Sequence, residues 1–158
     1  DVYARRKDPR LCVELQRNYR NHPKILTSLS QLFYKRKLIA CAHNTEMLEI
    51  QDFQFSMGAN DSFPIMFYDV QGSTDEREGD SPSYFNSKEA IAVKHLINAL
   101  KRNGMYEEDI GVIAATRKQV QKISYLLKQS KFYNVKVGST AEFQGHERKV
   151  IIISTVRT

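Results

Sequence analysis

The stretch FNSKEAIAVKHLINALKRNGMYEEDIGVIAATRKQV, Phe85 to Val120, decides how this chain is read. Asn86-Ser87-Lys88-Glu89 has capping-box spacing, with Asn in place of the usual Ser or Thr. Ala90, Val93, Leu96, Ile97 and Leu100 then recur at helical intervals and give one apolar stripe, and Gly104 signals a stop. Ile110-Gly111-Val112-Ile113-Ala114 reads as a strand. It runs straight into Thr116-Arg117-Lys118-Gln119, a second capping box whose helix carries Val120, Ile123, Leu126 and Leu127. A hydroxyl and two cations at a strand-to-helix junction suit a phosphate, because a helix start offers free N–H groups and the positive end of its dipole. The same spacing also fits an ordinary cap with two solvated cations.

Outward from this stretch the alternation continues. Val135 to Ser139 is strand-like, and Val150-Ile151-Ile152-Ile153-Ser154 is the most apolar run in the chain. On the N-terminal side Leu11 to Leu15 reads as a short strand. His22-Pro23 opens a helix with Ile25, Leu26, Leu29, Leu32 and Phe33 on its stripe, Pro being tolerated at the first helical position. Phe63 to Val70 predicts a strand buried on both faces, residues 41–62 an irregular insertion and residues 72–84 a loop. Strands and helices joined by short connections predict an α/β fold, an open, mostly parallel sheet with right-handed crossovers.

The 158 residues suffice for one domain with a real core, and 41% hydrophobic and 27% charged residues are ordinary for a globular protein. No apolar run approaches the roughly 20 residues of a membrane span. The polar start, without Met, is expected of an excised fragment and not of a signal peptide. Cys12 and Cys41 form no framework, so a reduced, intracellular protein is expected. Cys41 and His43 are two candidate ligands where a metal site needs three or four, so no metal site is expected. Lys and Arg outnumber acids 24 to 18, a net charge of +6 that favours polyanionic partners. The acids gather in Asp75-Glu76-Arg77-Glu78-Gly79-Asp80, either a protein-docking surface or a solvated loop.

Ligands of such a sheet collect beyond the carboxyl ends of its strands, and three clusters fall there. The first is Thr116-Arg117-Lys118-Gln119. The second, Ser139-Thr140-Ala141-Glu142-Phe143-Gln144-Gly145-His146-Glu147-Arg148, has more hydroxyl, amide and acid groups than a strand connection needs, although Phe143 could plug the core and Gly145 could only turn. The third is Gln16-Arg17-Asn18-Tyr19-Arg20-Asn21-His22-Pro23, whose arginines could reach a phosphate or simply lie on a surface loop. No Gly-x-x-x-x-Gly-Lys-Ser/Thr P-loop and no Asp-Glu pair after an apolar strand occur. The chain looks able to contact a nucleotide and unable to hydrolyse it alone.

In this order the clusters resemble the second RecA-like domain of superfamily 1 RNA helicases of the up-frameshift type. The family's Tyr-Arg-x-His-Pro motif is matched by Tyr19-Arg20-Asn21-His22-Pro23, and its Phe-Gln-Gly-x-Glu motif by Phe143-Gln144-Gly145-His146-Glu147. Its Ser-x-Val-Arg strand end is matched by Ser154-Thr155-Val156-Arg157, its Asn-x-x-Glu-Ala helix start by Asn86 to Ala90, and its Gly-Val-Ile strand by residues 111–113. The segment from Asp75 to Ser83, Arg117-Lys118-Gln119-Val120 and Leu38 to Cys41 look like the Armitage branch, helicases of small-RNA and piRNA silencing.

The resemblance implies a RecA-like fold, of the P-loop NTPase type, with helices on both faces of its sheet. It makes residues 1–158 the second domain of a two-domain motor. It implies ATP as cofactor, with Mg2+ held mainly by the first domain. Tyr19 is then expected near the adenine, Arg20 on the γ-phosphate as an arginine finger, and Gly145 and Glu147 near the nucleotide. Thr116, Arg117, Ser139, Thr140 and Gln144 are expected on the backbone of single-stranded RNA. The implied partners are single-stranded RNA, the first domain and small-RNA silencing proteins, with no membrane. The implied direction is 5′ to 3′ and the location cytoplasmic, including ribonucleoprotein granules. The isolated fragment should be inactive. Two departures stand out. The family commonly has Pro-Tyr or a similar pair where this chain has Ala115-Thr116, and the family's last motif, with its second γ-phosphate arginine, is not reached. The alternative is a RecA-like module that holds RNA or protein without motor activity.

Overall fold

In the computed structural model, which describes residues 13–42, 64–72, 74–79 and 81–157, the chain divides into two units, Asp1–Phe67 and Tyr68–Thr158. In the first, β1 (Arg17–Asn18) pairs in parallel with β2 (Ile39–Ala40), Arg17 opposite Ile39 and Asn18 opposite Ala40. Between them runs α1 (Pro23–Phe33), which starts where His22-Pro23 predicts. Pro23 occupies the first turn, where a missing N–H costs nothing, and the His22 ring accepts from Lys24 N at 3.1 Å. Leu26 supplies the buried position of the helix. The hydroxyl of buried Ser30 accepts from Leu38 N at 3.1 Å and fixes the return toward β2.

Two predicted strands differ from what is seen. Leu11 and Cys12 lie outside the described residues, Val13 and Leu15 are exposed and unpaired, and the ladder begins at Arg17. The segment from Pro64 to Val70 is irregular, with Phe67 91% exposed. A strand exists through its ladder, so apolar, β-branched composition does not suffice without a neighbour. Among the described residues no strand pairs with either segment. Most of the predicted insertion, residues 43–62, and Phe63 lie outside the described residues.

The second unit contains α2 (Ser87–Arg102), a 3-10 turn (Glu107–Asp109), β3 (Ile110–Ala114), α3 (Arg117–Gln129), β4 (Lys136–Gly138) and β5 (Val150–Ser154). β3 is central, with β4 and β5 parallel to it on either side. The open parallel α/β sheet expected from the sequence is therefore present. β3 and β5 occupy the predicted residues, and β4 is shorter by one at each end.

The helix stripes explain the core. Ala90, Val93, Ile97 and Leu100 of α2 and Ile123 and Leu127 of α3 are buried with Ile110, Val112 and Ala114 of β3. Each large aliphatic side chain so removed from water contributes on the order of 1.5–3 kcal/mol. Within this unit both helices lie on that one face. α2 ends at Arg102, and Gly104 takes φ 85° just beyond the Asn103 cap, as its role of stop predicts. On the opposite face Gly111 leaves room for the Phe143 ring, since a Cβ there would lie 2.7 Å from Phe143 Cε1.

Candidate functional site

Because β3, β4 and β5 are parallel, their carboxyl ends share one edge, and the three connections that leave them start together. After β3 come Ala115-Thr116 and α3. After β4 comes the segment Ser139 to Lys149. After β5 come Thr155, Val156 and Arg157. The predicted RNA residues Thr116, Arg117, Ser139, Thr140 and Gln144 thus belong to two neighbouring loops, as do Gly145 and Glu147. Tyr19 and Arg20 belong to the first unit.

A buried polar cluster ties this edge to the helices. Asn86 caps α2, accepting from Glu89 N at 3.0 Å. The Glu89 side chain does not close the box on the Asn86 N–H. It accepts instead from Ser154 Oγ at 2.6 Å and Val156 N at 3.0 Å. The Asn86 N–H goes to the Gln119 side-chain carbonyl at 2.9 Å. Gln119 also donates to Asn86 O at 3.1 Å and to Ser154 Oγ at 3.0 Å. All four side chains are buried, and each polar group finds a partner, as burial demands.

The start of α3 is less open than its sequence suggests. Thr116 caps it, accepting from Gln119 N at 3.2 Å, and the Thr116 hydroxyl donates to Tyr84 O. Ser83 Oγ accepts from Lys118 N at 3.1 Å, so two of the helix's early N–H groups already have in-chain acceptors. Lys118 Nζ pairs with Glu78 at 2.8 Å, and this ammonium holds the exposed Glu78 carboxyl below its usual range. Arg117 stays exposed. The acidic loop is therefore docked in its own unit: Glu76 and Phe85 exchange backbone hydrogen bonds at 2.7 and 3.0 Å, and Glu76 Oε1 accepts from Ser87 N at 3.2 Å.

Ser139 is similarly engaged. Its N–H and its hydroxyl both donate to Glu142 Oε2, at 2.6 and 2.7 Å. These bonds, the backbone one foremost, lower the pKa of Glu142. Thr140, Gln144, Gly145 and Glu147 are exposed, and Gly145 has φ 80°, a backbone that favours glycine. Thr140, Gln144, His146, Glu147 and Arg148 line an open groove of about 690 Å³ with Ile113, Ala141, Phe143 and Ile151 as its apolar floor. The buried Arg148 Nε there has no hydrogen-bond partner among the described residues. An apolar floor, a polar rim and a spare donor suit the sugar and base of a nucleotide.

In the first unit Asn18 closes β1 by accepting from Arg20 N at 3.1 Å and Asn21 N at 2.8 Å. This side-chain turn leaves Tyr19 66% exposed and Arg20 exposed. Among the described residues no His, Cys, Asp or Glu cluster suited to a metal ion occurs, and no helix is long and apolar enough to cross a membrane.

Sequence reasoning missed Tyr84, Arg77 and Arg157. The guanidinium carbons of Arg77 and Arg157 lie 5.0 and 4.6 Å from the Tyr84 ring centroid. The signal for Arg157 was present in Ser-x-Val-Arg, but that motif carried no assigned role. Tyr84 ends a loop whose composition gave no sign that it docks.

A parallel α/β unit with its polar loops beyond the carboxyl ends of the strands is the arrangement of a RecA-like α/β fold. The family model described as "AAA domain" matches residues 3–158, and the chain belongs to that family. It is 42% identical over 154 residues to the human "RNA helicase Mov10l1" and 41% identical over 165 residues to the zebrafish "Putative helicase mov-10-B.1". It is 32% identical over 158 residues to the fruit-fly "Probable RNA helicase armi". Each match takes in 96% of this chain, and the chain spans only 12%, 16% and 13% of these relatives. The resemblance to Armitage-type RNA helicases is borne out.

Proposed function

We propose that the chain is the second RecA-like domain of an ATP-dependent RNA helicase, one half of a two-domain motor. The observation that carries this reading is the shared carboxyl edge of β3, β4 and β5, which gathers Thr116, Arg117, Ser139, Thr140 and Gln144 with the groove at Glu147. The names of the relatives support it. Such a motor takes single-stranded RNA, moves 5′ to 3′ and serves small-RNA silencing with the partner proteins of that pathway, in the cytoplasm and its ribonucleoprotein granules.

Bound ATP, with Mg2+ held mainly by the first domain, supplies the phosphoryl group. Arg20 is the arginine finger, whose planar fork neutralises charge that develops in phosphoryl transfer. Tyr19 offers a ring face to the adenine. Gly145 allows close backbone approach, and Glu147 accepts hydrogen bonds from a ribose. RNA is held by its phosphates, which carry no base identity and so suit stepping along any sequence. Arg117, Thr140 and Gln144 are exposed for this role. Thr116 and Ser139 act once their present acceptors give way.

The test is Arg20→Ala in the two-domain protein. ATP binding should persist while turnover falls by on the order of a thousandfold, and residues 1–158 alone should show no ATPase. Near-normal turnover in the variant removes the finger assignment.

A further inference from the structure

Val156 is 0% exposed and has φ 74°, a left-handed backbone that a β-branched residue rarely adopts. Two buried side chains at the start of α2 hold it. Glu89 accepts its N–H at 3.0 Å, and Asn86 Nδ2 donates to its carbonyl at 3.3 Å. Glu89 also takes the Ser154 hydroxyl at 2.6 Å, so both sides of the turn after β5 are fixed from one carboxylate. Strain held in place by a built clamp is found where a neighbouring group must be aimed.

The group aimed is Arg157. Its guanidinium is exposed and lies 4.6 Å from the Tyr84 ring centroid, and it makes no hydrogen bond or ion pair among the described residues. Stacking engages the face of a guanidinium and leaves its N–H edges for an acceptor. A second guanidinium, Arg77, is 5.0 Å from the same ring, so an anion beside Tyr84 would also relieve like-charge repulsion. Tyr84 O accepts the Thr116 hydroxyl, which puts this pair of cations beside the start of α3.

We propose that Arg157 is a further phosphate contact for single-stranded RNA and that Glu89 is its positioning residue. This deepens, and rests on, the reading of the strand edge as an RNA surface. Two phosphodiester oxygens match the fork of an arginine, and the edge already presents exposed Arg117.

The test uses the full-length protein and a fluorescent oligouridine, with anisotropy measured across salt concentrations. Arg157→Ala should lower affinity on the order of tenfold, reduce the salt slope by about 0.7 for one lost phosphate, and leave the melting temperature unchanged. Arg157→Lys should restore most of the slope and part of the affinity. Glu89→Gln, which removes the carboxylate charge from the Ser154 and Val156 bonds and sets an amide NH2 against Asn86 Nδ2, should weaken RNA binding when Arg157 is present and add nothing in the Arg157→Ala background. A wild-type salt slope in Arg157→Ala overturns the contact, and additive losses overturn the positioning role. Lost ATP affinity with unchanged RNA binding would assign Arg157 to the nucleotide and overturn the proposal too. RNA binding without salt dependence in the wild-type protein would instead overturn the RNA surface itself.

Discussion

Gln119 satisfies both backbone groups of Asn86: its side chain accepts the Asn86 N–H at 2.9 Å and donates to the Asn86 carbonyl at 3.1 Å. The first residue is the N3 position of α3 and the second is the cap of α2, and both are 0% exposed. One amide therefore fixes two helix starts against the end of β5. Gln119→Leu leaves the buried Asn86 N–H without its acceptor and takes one bond each from the Asn86 carbonyl, which keeps Ala90 N, and the Ser154 hydroxyl, which keeps Glu89. It should cost about 1–3 kcal/mol in denaturant unfolding. Gln119→Glu keeps the shape but turns an acceptor toward the Asn86 carbonyl, and should be no better. A loss below about 0.5 kcal/mol, the range of ordinary surface changes, would mean the network does not hold the helices.

Gly111 and Phe143 form a size-matched pair. A Cβ at Gly111 would meet Phe143 Cε1 at 2.7 Å, Ile151 Cδ1 at 2.9 Å and Arg148 Cγ at 3.0 Å. Gly111→Ala should cost about 1–3 kcal/mol by overpacking, and Phe143→Ala about 3 kcal/mol by leaving a cavity. Without the ring the methyl group loses the shortest of its three close contacts and the Ile151 and Arg148 side chains gain room to give way, so the double variant should lose less than the sum by about 1 kcal/mol. Strict additivity would show that Phe143 does not press on this strand.

These relationships also mark what the sequence could and could not reveal. β3, β5 and the three helix starts were legible because caps and stripes act over three or four residues. The carboxyl edge followed from the parallel order. The partners of the caps were not legible, since Gln119 to Asn86 spans 33 residues and Glu89 to Val156 spans 67. Nor was the loop whose oxygens meet Thr116 and Lys118, because loop composition says nothing of what the loop touches. The expected strand at Phe63–Val70 failed for the complementary reason: its residues suit a ladder, and no ladder partner is described.

Glu142 gives the Ser139 loop a pH dependence. Its carboxylate accepts the Ser139 N–H and hydroxyl, and its pKa in the folded chain is lowered from 4.5. A depressed folded pKa contributes stability that is complete above the unfolded value and is lost as pH falls through the folded one. The loop should therefore hold near neutral pH and loosen only in acid, as pH falls through that lowered value. In a carboxyl-carbon NMR titration Glu142 should titrate below 4.5. Ser139→Ala should raise the midpoint only in part, because the backbone N–H is the larger cause. Titration at or above the ordinary value would show that the carboxylate is not held.

Glu78 should compete with RNA for the start of α3. Its carboxylate sits on Lys118 Nζ at 2.8 Å, where a phosphate oxygen would make the same contact, and Ser83 Oγ occupies the Lys118 N–H beside it. The pair is exposed and screened by salt, so its release is a modest step. Glu78→Gln in the full-length protein should tighten oligouridine binding by about twofold at low salt and by less as salt rises. Glu78→Gln with Ser83→Ala should tighten it further, since one substitution frees the ammonium and the other the N–H. Weaker binding in the double variant would mean that the loop orders the RNA surface, and unchanged binding in both would place the RNA away from Lys118.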